Sequence, residues 1–267
     1  MTLYGKNIAG RASLWRFAWN NRKTFQQFDF RQATSADMGK LMDICRSFVV
    51  EEPLGKALGV TKLPEVEKQT EYIVALSLAQ PPHLKMPLIV THRETGALAS
   101  FRIGNLFYKN DEDCPFEVPQ EPELNGLERS LAEAVDEEYA QVWTRNPNDK
   151  VMYKQELSWV AEPFRGKYQL ARICKQYNFD YDEFNKFGVF RTVGCASSAI
   201  NAAVLPSVGY QVYPSPRKTV MNFATGKEVP LIHPLHYVEC DMKNNASVNV
   251  GPIWAKMEAM GIIAKGR

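Results

Sequence analysis

Four histidines, five cysteines and one close pair of cations are the side chains of this 267-residue chain whose chemistry stands out. His83, His92, His233 and His236 are dispersed. The last two could share a face, but no third ligand lies near them, so they read as structural and no metal is expected. Cys45, Cys114, Cys174, Cys195 and Cys240 are odd in number and never form a CxxC pair. That spacing fits neither a zinc site nor a disulfide framework, and a reducing compartment is the simplest setting. Arg165 and Lys167 stand at the start of an expected helix, where the helix dipole disfavours cations. GxxxxGK[ST], GxGxxG after a strand, HExxH and GxSxG are all absent, which removes the strong signatures of nucleotide binders, zinc proteases and α/β-hydrolases.

The elements that must position these residues can be read from periodicity. Phe28 to Gln32 alternates as a strand, and Thr34 and Asp37 have the spacing of a capping box. Met38, Leu41, Met42, Cys45, Phe48 and Val49 then recur at helical spacing, and the helix must stop near Glu52 because Pro53 steers its predecessor out of the helical region. A second helix is expected from Leu63-Pro64. Residues 87–91 and 97–107 read as a hairpin turned by Glu94-Thr95-Gly96. Strands are expected at 151–160, 188–193, 209–213 and 235–240, with helices at 165–176, 197–207 and 252–263. Strand–helix alternation after an opening helical pair predicts an α+β (α/β mixed) domain with a mixed sheet.

At roughly 100–200 residues per domain, the length allows one large domain or two small ones. Residues 1–28 carry five cations and no acid, so the remainder has a net charge of −3. A mildly acidic body argues against nucleic-acid partners. The basic opening, with Leu14, Trp15, Phe17 and Trp19 interleaved, reads either as a segment packed on the body or as a mitochondrial presequence. The longest uncharged stretch, Thr192 to Pro216, is broken by Ser197, Ser198, Asn201, Pro206 and Gly209, so no membrane span is expected. Residues 111–138 hold eleven acids against the single base Arg129 and read as an insertion with a solvated face. The expected organisation is a basic extension (1–26), one domain (27–240, with an acidic insertion at 111–150) and a tail (241–267), in the cytoplasm.

Four local features occur in one order: Glu51-Glu52-Pro53-Leu54 after the first helix, residues 159–167 (WVAEPFRGK) at a strand-to-helix turn, Gly194-Cys195-Ala196-Ser197-Ser198, and Val208-Gly209-Tyr210. Together they resemble the GCN5-related N-acetyltransferase superfamily, and within it the arylalkylamine N-acetyltransferase-like branch of invertebrates. The resemblance covers about residues 27–240. It implies a twisted mixed sheet with helices on both faces and a splayed central strand, in whose gap acetyl-CoA, the co-substrate, lies. Backbone groups of Trp159, Val160 and Ala161 would bind the pantetheine. Arg165, Gly166, Lys167, Tyr168, Gln169 and Leu170, with Ser198, would complete the cofactor site, the loop amides and cations meeting the pyrophosphate.

Two departures from the family pattern stand out. Tyr168 and Leu170 replace glycine or alanine in the Arg/Gln-x-x-Gly-x-Gly/Ala pattern, and Leu205 stands where many members carry a tyrosine that protonates the departing thiolate. The arylalkylamine-like branch implies Glu52 as the base, with Ser197 and Asn201 at the two serine positions. Without the resemblance, Glu52 is a solvated helix end, Ser197 an N-cap and Cys195 a small packing residue. The expected activity is transfer from acetyl-CoA to a small primary amine, such as an arylalkylamine, in a ternary complex. The rival is a degenerate member that binds CoA or a protein without turnover. Oligomeric state is left open.

Overall fold

The computed structural model describes residues 21–84, 86–176, 181–242 and 259. The expected helix at 252–263 and most of the basic extension lie outside the described residues. Among the described residues, seven strands form one sheet in the order β1 (Phe28–Gln32), β2 (Leu88–His92), β3 (Leu98–Tyr108), β4 (Val151–Val160), β5 (Arg191–Ala196), β9 (His236–Asp241), β6 (Gln211–Pro214). Among the described residues, only the β4–β5 pairing is parallel. The short strands β7 (Thr219–Asn222) and β8 (Lys227–Pro230) form a separate hairpin that periodicity did not anticipate.

Helices cover both faces. On one face lie α2 (Met38–Glu51), α3 (Pro53–Leu58), α4 (Glu67–Leu78) and α5 (Gly126–Tyr139), where Leu41, Ile44, Cys45 and Val74 pack on Ile89, Phe101 and Ile103. On the other, α7 (Leu170–Gln176) packs Leu170, Ile173 and Cys174 against Phe28, Val90 and Tyr153. The other helices among the described residues are the short α1 (Arg22–Gln27), α6 (Val142–Arg145), α8 (Tyr181–Asn185) and α9 (Ala199–Val204).

Local chemistry fixes the two turns that matter most. The expected capping box forms: Asp37 accepts the Thr34 backbone N–H at 2.9 Å and grips the Arg31 guanidinium at 2.6 and 2.7 Å. That cation holds the Asp37 carboxyl down at about 2. At the far end of α2, Glu52 is forced into extended backbone (φ −67°, ψ 122°) ahead of Pro53, which occupies the first turn of α3. One residue therefore ends one helix and caps the next. The acidic insertion is more than a solvated face: Glu128 is buried, closes a capping box with Asn125, and accepts the Gln69 backbone N–H at 3.1 Å, which fastens α5 to α4.

Three expected boundaries are corrected. The helix assigned to 165–176 begins only at Leu170, because a 3-10 turn spans Glu162–Phe164 and both Gly166 (φ 73°) and Gln169 (φ 53°) are left-handed. The helix assigned to 197–207 is α9 followed by a 3-10 turn at Leu205–Val208. The strand assigned to 188–193 runs from Arg191 to Ala196.

Candidate active site

The sheet opens at its parallel pair. Tyr153, Lys154 and Gln155 pair with Thr192, Val193 and Gly194, and then the strands part. β4 continues to Val160 on β3, while β5 continues to Ala196 on β9. The parting coincides with a bulge, since Gly104 faces Gln155 and the neighbouring Ile103 already faces Leu157, leaving Glu156 without an opposite residue. Past the bulge the alternation is reset. Lys154, Glu156 and Leu157 line a cavity on the α2–α5 face, whereas Gln155 and Ser158 meet Lys175 on the α7 face.

That cavity has a volume of about 660 Å³. Apolar walls come from Phe48, Val49, Ile73, Phe107, Leu131 and Val135, and its charged lining is Glu52, Asp111, Glu121, Asp136 and Glu156 against Lys154. Lys154 bonds Glu156 at 3.0 Å, lies 3.9 Å from Asp136 and sits over the Tyr139 ring, and the excess of acids leaves the cavity anionic. A second, smaller cavity of about 50 Å³ occupies the gap between β4 and β5. Phe48, Glu156, Leu157, Cys195 and Ser197 line both, so the two meet there.

Glu52 sits on the wall of the larger cavity. Its Oε2 accepts the Gly55 N–H at 2.6 Å as the cap of α3. Oε1 is buried and has no hydrogen-bond partner of full geometry among the described residues. Burial pushes the carboxyl up, while the Ser197 hydroxyl beside it and the Gly55 and Leu54 amides favour the charged form. Ser197 is free for this contact because the N-cap of α9 is Ser198, whose Oγ accepts the Asn201 N–H at 3.2 Å. The N-cap expectation for Ser197 is corrected accordingly. Asn201 lines the gap and not the larger cavity, so it is not brought to Glu52.

The expected cofactor positions divide. Tyr168 turns inward, edge-on to Phe28 with centroids 4.9 Å apart, and Leu170 is buried in the same core, so neither side chain stands over the loop. Lys167, Gly166 and Gln169 are exposed. Several backbone groups that the resemblance offers to a ligand already have partners. Ala161 N–H donates to Ala99, the Trp159 carbonyl accepts the Ser100 hydroxyl at 2.6 Å, and the Val160 carbonyl accepts Arg165 Nε at 2.7 Å. The Arg165 guanidinium also pairs with Glu51, which accepts the Trp159 indole N–H at 2.8 Å and is held below the usual carboxylate range. Ser198 serves as the helix cap just described.

Lys175, Gln155, Lys154, Glu156 and Glu51 were missed by sequence reasoning. A Lys and a Glu flanking Gln155 on an otherwise apolar strand were the only legible signal. Lys175 near the end of α7 is indistinguishable in sequence from an ordinary dipole-compensating cation.

No protein-family model and no curated protein matches the sequence. Solved structures do match. An agmatine N-acetyltransferase in a mutant apo form superposes with a TM-score of 0.60 at 17% identity, over 80% of this chain and 99% of that one. Arylalkylamine N-acetyltransferase 2 from Aedes aegypti gives 0.56 at 15% identity over 80% and 99%. The C-terminal condensation domain of Ebony in complex with β-alanyl-dopamine gives 0.57 at 11% identity, again over 80% and 99%. At such identities the likeness is one of fold. With its central strands parted beyond a single parallel pairing and helices on both faces, the chain has the GCN5-related N-acetyltransferase fold, in the form seen in arylalkylamine N-acetyltransferases.

Proposed function

We propose that the chain is an N-acetyltransferase that moves an acetyl group from acetyl-CoA directly to a small primary amine. The observation that carries this reading is the buried carboxylate of Glu52, flanked by Ser197, on the wall of an anionic cavity that meets the β4–β5 gap. An ammonium ion is drawn into such a cavity, and the apolar walls at Phe48 and Phe107 suit an aromatic or alkyl body. The solved neighbours named for agmatine and arylalkylamine acetylation are consistent with such a substrate.

In this reading the amine gives a proton to Glu52, which burial makes more basic than an ordinary carboxylate, and attacks the thioester carbonyl presented through the gap. Both substrates are held together, which replaces a bimolecular encounter with an oriented one. Cys195 touches both cavities, but direct transfer needs no covalent acyl-enzyme.

The residues present fit the CoA arm in part. With Tyr168 and Leu170 packed inward, the exposed residues Gly166, Lys167 and Gln169 remain for phosphate, through their backbone and the Lys167 ammonium. Tyr168→Ala should therefore lower stability by about 2 kcal/mol in thermal denaturation. Acetyl-CoA affinity should change less than about threefold, and a larger loss would mean that the ring contacts the cofactor after all.

The rival reading is a degenerate member that binds CoA or a protein without turnover, and the Arg165 contacts with Glu51 and Val160, which divert a cation and a carbonyl from the cofactor, are what a weakened cofactor site would show. A thiol-release screen of arylalkylamines and diamines with acetyl-CoA separates the two. Saturable release with at least one amine is expected; cofactor binding with no release from any amine would favour the rival.

A further inference from the structure

The small cavity in the β4–β5 gap contains a cation that the proposed reaction has not yet used. Lys175 reaches in from α7 and is buried. Its Nζ donates to Gln155 Oε1 at 2.8 Å and to Ser158 Oγ at 2.9 Å, on either side of the Glu156 bulge. Gln155 and Gly194 are the last paired residues of the two strands, so Nζ stands at the point where they divide. Leu205 lines the same cavity and, being aliphatic, cannot give a proton.

We propose that Lys175 is the proton donor to the sulfur of the departing CoA thiol, filling the role that Leu205 cannot. This role rests on the acetyltransferase reading above. An amine in the large cavity approaches the carbonyl carbon where the two cavities meet, at Phe48, Glu156, Leu157, Cys195 and Ser197. The leaving sulfur is then on the gap side, where Nζ is. The other titratable side chains of the small cavity are poorer donors: Glu156 is ion-paired with Lys154, and Cys195 carries a weak S–H. Tyr210 lies behind Gln155, which bonds its hydroxyl, and is outside the cavity lining.

The electron and proton accounting closes. The amine nitrogen bonds to the carbonyl carbon while Glu52 takes its proton. The adduct then collapses, the C–S bond breaks with its electron pair on sulfur, and Lys175 passes a proton to that sulfur. The neutral amine of Lys175 keeps its contacts with Gln155 and Ser158 and regains a proton from solvent once the thiol leaves. Glu52 returns to solvent the proton it took, so a neutral amine reacts with no net proton release, and a substrate that enters as an ammonium releases one further proton when it is deprotonated before attack.

A buried ammonium with no carboxylate within ion-pair distance among the described residues is costly, and such groups concentrate at functional sites. The charged or titratable groups that face Lys175 are Arg102 from β3, Cys174 on its own helix and, one hydrogen bond further through Gln155, Tyr210. Burial, reinforced by Arg102, brings the Lys175 amine down to about 8. A thiol titrates near 8.5, so donor and acceptor are matched, which favours proton transfer.

The test compares Lys175→Met and Lys175→Arg with the unsubstituted full chain, using acetyl-CoA and an amine that the unsubstituted protein acetylates. Both variants should lose at least about 100-fold in kcat, with the acetyl-CoA Kd from calorimetry within about threefold. Lys175→Arg retains the charge, so it carries the test if Lys175→Met does not fold. With the acetyl selenoester of CoA, whose selenolate departs without a proton, the variants should recover to within about tenfold of the unsubstituted protein. The kcat profile of the unsubstituted protein should fall above about pH 8, and the variants should lack that limb. A kcat within threefold in a folded variant, or an equal loss with selenoester and thioester, overturns the role of Lys175 alone. No turnover by the unsubstituted protein overturns the acetyltransferase reading, and this role with it.

Discussion

Glu52→Gln lowers turnover by at least about 100-fold, with little change in acetyl-CoA affinity, if Glu52 is the base. The substitution keeps the shape of the side chain, and the amide oxygen still accepts the Gly55 N–H that caps α3. What is lost is the ability to take a proton from an ammonium. Burial raises the Glu52 carboxyl above its ordinary value, so kcat of the unsubstituted protein rises with pH along an acid limb displaced upward from the usual carboxylate range. The glutamine variant has no such limb.

Stability moves the other way. A carboxyl whose folded-state pKa lies above its unfolded value binds its proton more tightly in the folded protein. Its contribution to stability is present at low pH and is lost as pH rises through the raised pKa. Glu52→Gln removes that loss, so the variant melts higher at neutral pH while turning over far more slowly. A variant with unchanged kcat would remove Glu52 from the chemistry, and a lower melting temperature would mean that the carboxylate chiefly serves as a helix cap.

Gly104→Ala is the second large effect, and it falls on stability. A Cβ at Gly104 would lie 2.5 Å from Tyr153 Oη, 2.6 Å from the Lys154 carbonyl oxygen and 2.6 Å from Tyr153 Cε2. The Tyr153 ring is fully buried and packs against Phe184, so it has no space to retreat. The carbonyl belongs to β4 one residue before Gln155, where the strand begins to part from β5. The expected cost is about 3 kcal/mol, or a fall of roughly 10 °C in Tm. Gly39→Ala, in α2 with nothing within 4 Å of the added methyl, serves as the control and should be neutral or stabilising by up to about 1 kcal/mol. Equal melting temperatures for the two variants would show that β3 and β4 can separate at the bulge without penalty.

How far the sequence carried depended on how local each interaction was. The Thr34/Asp37 capping box, the break at Glu52-Pro53 and the turn at Gly96 are short-range chemistry, and each formed as read. The helix α7 starts at Leu170 and not at Arg165 because the backbone at Gly166 and Gln169 is left-handed, and a left-handed glutamine leaves no mark in the sequence. The β7–β8 hairpin escaped because its four-residue strands are too short and too exposed to alternate clearly.

Long-range contacts were beyond reach. Glu51 looks solvated in sequence, yet its partners Trp159 and Arg165 lie more than 100 positions away. The choice between Ser197 and Ser198 as the cap was decided by a single residue of helix register. Lys175 acquires its meaning only from Gln155 and Ser158 on a strand that happens to divide there.

The central claim is that the gap between β4 and β5 admits the CoA arm of a thioester while Glu52 waits on the other side of it. Calorimetric titration of the full chain with acetyl-CoA tests this most directly. The account predicts saturable binding in the micromolar range, Tyr168 and Leu170 being packed away from the loop. Absence of heat up to millimolar acetyl-CoA would contradict it and would turn the search toward a protein partner for a fold that has lost its cofactor.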